Sequence, residues 1–369
     1  MTAKKRLTLF DRIFLWLNYA LCLALLLSYL APVTDPRKIW IIAFFGLAYP
    51  LLLLGNCVVI MYWAVRKRWY FLISFITIII GYNVLSKNIS YHTGGGSAII
   101  PGKNIRLMSY NVHNFKRFGA NNDIPTKHEI LVLIKQQHPD IIGFQEYYTR
   151  KKGQYAMTDS IRTLMQTESY YVQAFQSNSD EIIGMAIFSK YPIFNQGLIR
   201  LSNENGDGTQ CLYIDVKKDD HPFRVYSVHL QSIQFGRQDY RTLDTVAKIG
   251  HTDLHSIMRM GGKLKQAFLK RADQVVQIKA HAAQCPYPYI ISGDFNDTPT
   301  SFAVNQISNG LKNAFVEKGF GFGRTYNGDF PNYQIDYIMA TPQFDILDYY
   351  VVRKKLSDHY PVIGDLELR

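Results

Sequence analysis

I-I-S-G-D-F-N-D-T-P, Ile290 to Pro299, runs an apolar segment into a glycine and then into Asp294, Asn296 and Asp297. Such a pattern reads as a buried strand that ends in a tight polar loop. Residues two apart on extended backbone project to the same side, so Asp294 and Asn296 can face one reacting centre. The same G-D-x-N string is also a good turn, because Asp and Asn accept backbone hydrogen bonds and Gly allows positive φ. The decision therefore rests on what other strand ends bring to the same place.

Working outward, Ile105 to Phe115 (I-R-L-M-S-Y-N-V-H-N-F) alternates at its start and reads as a strand with a polar end at Asn111, His113 and Asn114. A helix is expected over Thr126 to Gln137, stopped by Pro139. Asp140 to Glu146 then reads as a buried strand ending on a carboxylate. A short helix is expected over Asp159 to Thr167, and strands over Tyr171–Phe175, Met185–Ser189, Cys211–Val216 and Phe223–Ser232, the last carrying His229. Between Ile233 and Leu269, glycines at 236, 250, 261 and 262 suggest a loop and helix insertion bordering a substrate cleft. Lys263 to Gln284 reads as helix, a further helix starts near Ser301, and Tyr333 to Ala340 reads as a strand containing Asp336. Asp358 and His359 occupy a turn before the final strand. Strands outnumber helices and do not alternate with them, which favours an α/β fold of two stacked sheets with helices outside over a regular doubly wound sheet.

The first 102 residues differ in composition, with ten Lys and Arg against two Asp and Glu, leaving 31 against 27 for the remainder. The excess over the remainder is too small to argue for nucleic acid. Uncharged runs over Ile13–Val33, Ile39–Val65 and Trp69–Ser86 predict three transmembrane helices. Lys4, Lys5, Arg6 and Arg12 flank the first run, and Arg66, Lys67 and Arg68 fill the turn after the second. The positive-inside bias places both in the cytoplasm and the remainder of the chain outside it, as a multi-pass protein of the membrane, the inner one if the cell is Gram-negative. The expected division is a membrane anchor over 1–89, partnered with the lipid bilayer through residues 10–86, a flexible linker over 90–102 containing Gly94–Gly96, and a soluble domain over 103–369. Cys211 and Cys285 are expected as buried free thiols, with a disulfide as the alternative in an oxidising compartment.

The polar strand ends collect Asn111, Glu146, His229, Asp294, Asn296, Asp336, Asp358 and His359. Carboxylates, amides and imidazoles in this proportion suit phosphate ester hydrolysis with a hard cation, since Mg²⁺ takes a few carboxylate oxygens and leaves the rest of its shell to water and phosphate. The closely spaced histidines of the sequence, His251 and His255, read with His281 as surface residues of the insertion rather than ligands, so a zinc site is not the expectation.

The ordered set S-Y-N-V, F-Q-E, S-V-H-L, G-D-F-N-D-T-P, Q-I-D-Y-I and S-D-H-Y-P resembles the endonuclease/exonuclease/phosphatase superfamily, as a bacterial membrane-anchored member, over Lys103 to Arg369. The resemblance implies a four-layer α/β/β/α sandwich with the site at one edge of the sheets. It implies a metal held by Glu146, with Asn111 and Asp358 assisting, and Mg²⁺, or alternatively Mn²⁺, as the ion. Asp294 resembles the general base for water, Asn296 the residue that orients water or phosphoryl oxygens, Asp336 the partner of His359, and His229 a second phosphate contact. Gln334 stands where bacterial relatives often have arginine. The implied activity is that of a metal-dependent phosphodiesterase or phosphatase acting on a phosphoester such as a lipid headgroup. The alternatives are an anchored endonuclease on DNA or RNA and, since no site residue is missing, less readily a silent binding platform.

Overall fold

The computed structural model describes residues 7–92, 102–116, 124–201, 208–236, 238, 239, 242, 254–328 and 332–369. The glycines at 94–96, Lys4–Arg6 and His251 lie outside them. The chain divides into two units, one of residues 1–88 with 298–305, the other of residues 89–297 with 306–369.

The first unit is helical. α1 (Leu9–Leu30) is opened by a capping box, in which Thr8 Oγ1 accepts from Asp11 N while the Asp11 carboxylate accepts from Thr8 N. It is the one described helix long and apolar enough by itself to cross a bilayer. The other two expected spans are each broken: α2 (Ile41–Leu47) meets α3 (Tyr49–Val65) at 62°, and α4 (Phe71–Ile80) meets α5 (Tyr82–Asn88) at 73°. Pro50, in the first turn of α3, cannot donate the backbone bond that would continue α2. At the second break the Tyr29 ring lies where a Cβ on Gly81 would be, and its hydroxyl donates to the Thr77 carbonyl at 3.0 Å. Buried polar groups tie the helices together, with Cys22 Sγ 3.3 Å from Asn56 Oδ1 and 3.4 Å from Ser74 Oγ.

The second unit holds two six-stranded sheets. In chain order its strands are β1 (Ser90–Tyr91), β2 (Ile105–Asn111), β3 (Ile141–Arg150), β4 (Ser169–Ser177), β5 (Glu181–Ser189), β6 (Ile193–Arg200), β7 (Gln210–Lys218), β8 (His221–His229), β9 (Tyr289–Asp294), β10 (Lys312–Asn313), β11 (Phe320–Gly321), β12 (Asp336–Ala340), β13 (Phe344–Val351) and β14 (Val362–Leu368). One sheet is ordered β10-β12-β9-β8-β7-β6 and the other β13-β14-β2-β3-β5-β4; β1 and β11 pair separately. Each large sheet has one parallel pair near its middle, β8 with β9 and β2 with β3, buried on both faces as parallel strands require. Ile105, Leu107, Ile141 and Ile187 from one sheet pack against Ile214, Val225, Ile290 and Ile338 from the other. Ile130, Ile134, Met157 and Ile161, from the helices Ile124–Gln137 and Met157–Met165, cover the outer face of the second sheet through Met108, Ile142 and Phe188.

Besides the broken spans and the unexpected strands β6 and β13, two further features depart from the sequence reading. The helix expected to begin at Lys263 begins at Leu254 and continues to Ala282, passing through Gly261 and Gly262, because its buried face (Ala267, Phe268, Ala272, Val275, Ile278) outweighs the cost of two glycines. Strand β3 does not end on Glu146 but runs on to Arg150, with a register shift between Phe144 and Tyr147. Cys211 and Cys285 are both free thiols.

Candidate active site

Sheet register assembles the site. In the first sheet His229 pairs with Asp294 across β8 and β9, and Asp336 pairs with Asp294 across β12 and β9, so three functional side chains share one end of three adjacent strands. In the second sheet Asn111 pairs with Gln145, which sets Asn111 beside Glu146. Gln145 Nε2 donates to Ser227 Oγ at 3.0 Å, a buried polar link from the second sheet to the first beneath these groups.

Backbone strain is concentrated here. Glu146 has φ 49° inside the β3 irregularity, Asn296 has φ 52°, and His113, Asn114 and Phe115 are consecutively left-handed. Non-glycine residues hold such angles only where surrounding structure enforces them, and a bulge re-aims the side chain it carries. Gly293, at φ 142°, leaves no room for a Cβ, which would lie 2.1 Å from the Val228 carbonyl oxygen; this close approach draws β9 against β8 just before Asp294.

Asp294 is the focus. Its Oδ2 lies 3.1 Å from Asn111 Nδ2, 3.6 Å from His229 Nε2 and 3.6 Å from His359 Nε2, while Oδ1 accepts from Asn296 N at 2.8 Å. Burial pushes its pKa up to about 6, with Asp336 adding to the rise and the two histidines opposing it. His359 Nδ1 is held by Asp336 at 3.0 Å; a carboxylate only accepts, so Nδ1 carries the proton and Nε2 faces Asp294. Burial alone would lower the His359 pKa, but the charges of Asp336 and Asp294 outweigh it and hold it well above the ordinary value. His229 Nδ1 bonds the Gly208 carbonyl at 3.0 Å, and its Nε2 is buried with no hydrogen bond to the described residues. Asn296 lies in the loop as expected, yet its Nδ2 donates to the Leu230 carbonyl at 2.9 Å, so one amide proton is already used.

Glu146 is the most open of the carboxylates, its side chain 31% exposed. Burial raises its pKa, but the bond from His113, the charge of His229 and the Asn111 amide prevail and lower it to about 2. Asn111 Nδ2 bridges Glu146 Oε1 and Asp294, both at 3.1 Å. Asp358 joins from its turn, with Oδ2 3.8 Å from His113 Nδ1, and Ser357 Oγ fixes the turn by donating to the Asn111 carbonyl at 2.9 Å. All eight expected residues therefore meet at one end of the two sheets.

Two residues outside that set belong to the same neighbourhood. His113 Nδ1 sits 3.3 Å from Glu146 Oε2; its place in S-Y-N-V-H-N was the only available signal. Arg271, fully buried on the helix Leu254–Ala282, pairs through Nε with Asp297 at 3.0 Å and donates through Nη1 to the carbonyls of Gln231 and Asn296. Removing one member of such a pair strands the other charge in low dielectric. Arg271→Met is expected to cost about 3–5 kcal/mol in denaturant unfolding, and an unchanged midpoint would show that the pair holds nothing in place.

The carboxylates of Glu146 and Asp358 offer oxygen ligands that fit a hard divalent cation; the Asn111 amide turns Nδ2 toward Glu146 and accepts from His113 N through Oδ1 at 3.2 Å, so it would ligate only with its amide turned over. The donor atoms of Asp294, Asp336 and His359 also lie within 4.8 Å of one another. In that group His359 Nδ1 is already bonded to Asp336 at 3.0 Å and Asp294 Oδ2 accepts from Asn111 Nδ2 at 3.1 Å, which leaves fewer open donor atoms than Glu146 and Asp358 offer.

Residues 11–88 match a domain of unknown function (DUF8431). No curated protein is matched by the sequence. Among solved structures, an endonuclease/exonuclease/phosphatase from Bacteroides vulgatus has a TM-score of 0.53 at 17% identity, covering 72% of this chain and 99% of that one. Its counterpart from Beutenbergia cavernae has a TM-score of 0.51 at 18% identity, covering 72% of each chain. A family protein from Bacteroides thetaiotaomicron also has a TM-score of 0.51 at 18% identity, covering 72% of this chain and 98% of that one. These likenesses carry the fold. The profile of the endonuclease/exonuclease/phosphatase family matches residues 108–359, a span that holds all eight convergent residues, and the chain belongs to that family.

Proposed function

We propose that the chain is a membrane-tethered, divalent-metal-dependent hydrolase of phosphoester bonds, its catalytic part built as a four-layer α/β/β/α sandwich. The observation that carries this reading is the Asp294 carboxylate, buried and raised in pKa, flanked at 3.6 Å by two imidazoles. A general base with a pKa near neutrality, beside groups able to carry positive charge, is what water attack on phosphorus requires.

In this reading Asp294 takes a proton from water as its oxygen bonds to phosphorus and the bond from phosphorus to the leaving oxygen breaks. His359, oriented by Asp336, presents a protonated Nε2 to the phosphoryl oxygens, and His229 presents its unbonded Nε2 beside it. Asn296 positions the water with its remaining amide capacity. Glu146, assisted by Asn111 and Asp358, would hold Mg²⁺ or Mn²⁺, which neutralises charge developing on the phosphoryl oxygens. Removing the ion with EDTA is expected to abolish turnover. Glu146→Gln is expected to raise the Mg²⁺ concentration for half-maximal activity by about 10–100-fold, and an unchanged metal dependence would move the ion elsewhere.

Each bent helix pair is read as one crossing, giving three spans that place the Arg66–Arg68 turn in the cytoplasm and the catalytic unit outside it. Protease added to intact spheroplasts should then digest the catalytic unit, and its protection would reverse the orientation. The activity is tested with the full chain in detergent on plasmid DNA, RNA, a phospholipid dispersion and small phosphate monoesters. Metal-dependent cleavage confined to lipid or small esters supports the reading. Cleavage of nucleic acid would make the chain an anchored nuclease, and silence on every substrate in the native chain would count against hydrolysis.

A further inference from the structure

A groove of about 440 Å³ lies between the segment after β8 and the helix Leu254–Ala282, lined by Gln231, Gln234, Arg259, Gly262, Lys263 and Lys270 among others. Its size is that of a small-molecule site. It shares a wall with the catalytic loop: Leu230 N donates to the Asp294 carbonyl at 3.0 Å, and Arg271 joins the carbonyls of Gln231 and Asn296.

Three independent features of the groove are unexplained by folding. Gln231 is 3% exposed, yet among the described residues its Oε1 has no hydrogen-bond partner, its Nε2 being spent on the Ser232 carbonyl at 3.1 Å. A buried acceptor without a donor costs about 1–3 kcal/mol. On the opposite wall Asp239 accepts from both Arg259 Nε at 3.1 Å and Lys263 Nζ at 2.7 Å. Among the described residues one carboxylate between these two cations leaves positive charge, Lys263 Nζ also donating to the Gln234 carbonyl at 3.1 Å, and Arg259 Nη2 is buried with no partner there. Finally, Gly261 and Gly262 stand inside a 29-residue helix with no atom of another described residue within 4 Å of where either Cβ would be. Each glycine costs the helix about 0.5–1 kcal/mol without admitting any neighbouring element, and Gly262 keeps the groove floor clear.

We propose that this groove is a substrate subsite for a second phosphate group carried on a hydroxylated scaffold, the Arg259 and Lys263 side taking the phosphate and Gln231 Oε1 accepting from a hydroxyl. The proposal rests on the hydrolase reading, and it makes the substrate a polyol with two phosphates, one at Asp294 and one in the groove. Such chemistry occurs in free sugar bisphosphates and in phosphorylated glycerol headgroups of lipids.

Binding is measured with the full chain in detergent and EDTA, so that turnover does not intrude. The probes are glucose 1,6-bisphosphate by calorimetry and phosphatidylglycerophosphate in phosphatidylcholine vesicles by co-sedimentation of reconstituted chain. Gly262→Leu is expected to weaken binding of at least one probe by about tenfold or more, Lys263→Ala to weaken it as well, and Gly261→Leu, which adds the same bulk outside the groove, to bind as the native chain does. A loss limited to the sugar or to the vesicle arm supports the subsite and identifies the source. Native chain that binds neither probe, or Gly262→Leu that binds both as native does, overturns it. With Mg²⁺ restored, failure of the native chain to hydrolyse any phosphoester would defeat the hydrolase reading alone, because the binding comparison is read without turnover.

Discussion

Asp294→Asn is expected to lower turnover of a phosphoester substrate by roughly 10²–10⁴-fold, with KM little changed and the fold intact. The substitution keeps the side-chain oxygen that accepts from Asn296 N, 2.8 Å away in the native chain, and replaces by an amide nitrogen the basic oxygen between the two imidazoles, which also accepts from Asn111 Nδ2 at 3.1 Å. Stability moves the other way. A buried carboxyl whose folded pKa is raised to about 6 binds protons more tightly than the unfolded chain does, so its ionisation weakens the fold at neutral pH. The neutral amide escapes that penalty, and the thermal midpoint of Asp294→Asn is expected to equal or exceed the native value at pH 7. A lowered midpoint with lost activity would assign Asp294 to structure instead. In the proposed mechanism the same group is expected to set the acid limb of the rate profile, activity rising with pH through about 6 as Asp294 ionises. Activity is expected to fall at high pH as His359, whose pKa is held well above the ordinary value, loses its proton.

The distribution of what could be read from sequence follows physical lines. Strands buried on both faces announced themselves as apolar runs, so β2, β3, β8, β9 and the residues at their ends were legible. Strand β6, mostly half-exposed, and β13, at the edge of its sheet with a shift between Ile346 and Asp348, carry no clean alternation and were missed. Edge strands are specified by their neighbours more than by their own pattern. Glu146 was found as a residue, but its strained angle in the middle of β3 was not, because nothing in F-Q-E-Y-Y marks a bulge. Glycine was over-read as a helix breaker at 261 and 262, where packing decides. Arg271 gave no signal at all: one cation in a long amphipathic helix looks solvent-facing until the fold buries it against Asp297.

His359 supplies the second large effect. Its Nε2 is 3.6 Å from Asp294 Oδ2, beyond a good hydrogen bond, so the proton on that nitrogen is not consumed by the carboxylate and is available to a phosphoryl oxygen. The Asp336 bond at 3.0 Å fixes the ring, and the Tyr326 ring closes one edge with its centroid 5.4 Å away. Loss of a preorganised cationic donor in a buried site costs about 10²–10³-fold in kcat, and His359→Ala is expected to fall in that range or below it. Asp336→Asn separates charge from position. It keeps a hydrogen-bonding group beside Nδ1 but withdraws one of the two charges that keep His359 protonated, so the alkaline limb of its rate profile shifts to lower pH while activity in acid is partly retained. An alkaline limb that stays at the native pH in Asp336→Asn would mean that His359 acts through shape alone, and near-native turnover in His359→Ala would remove it from the mechanism.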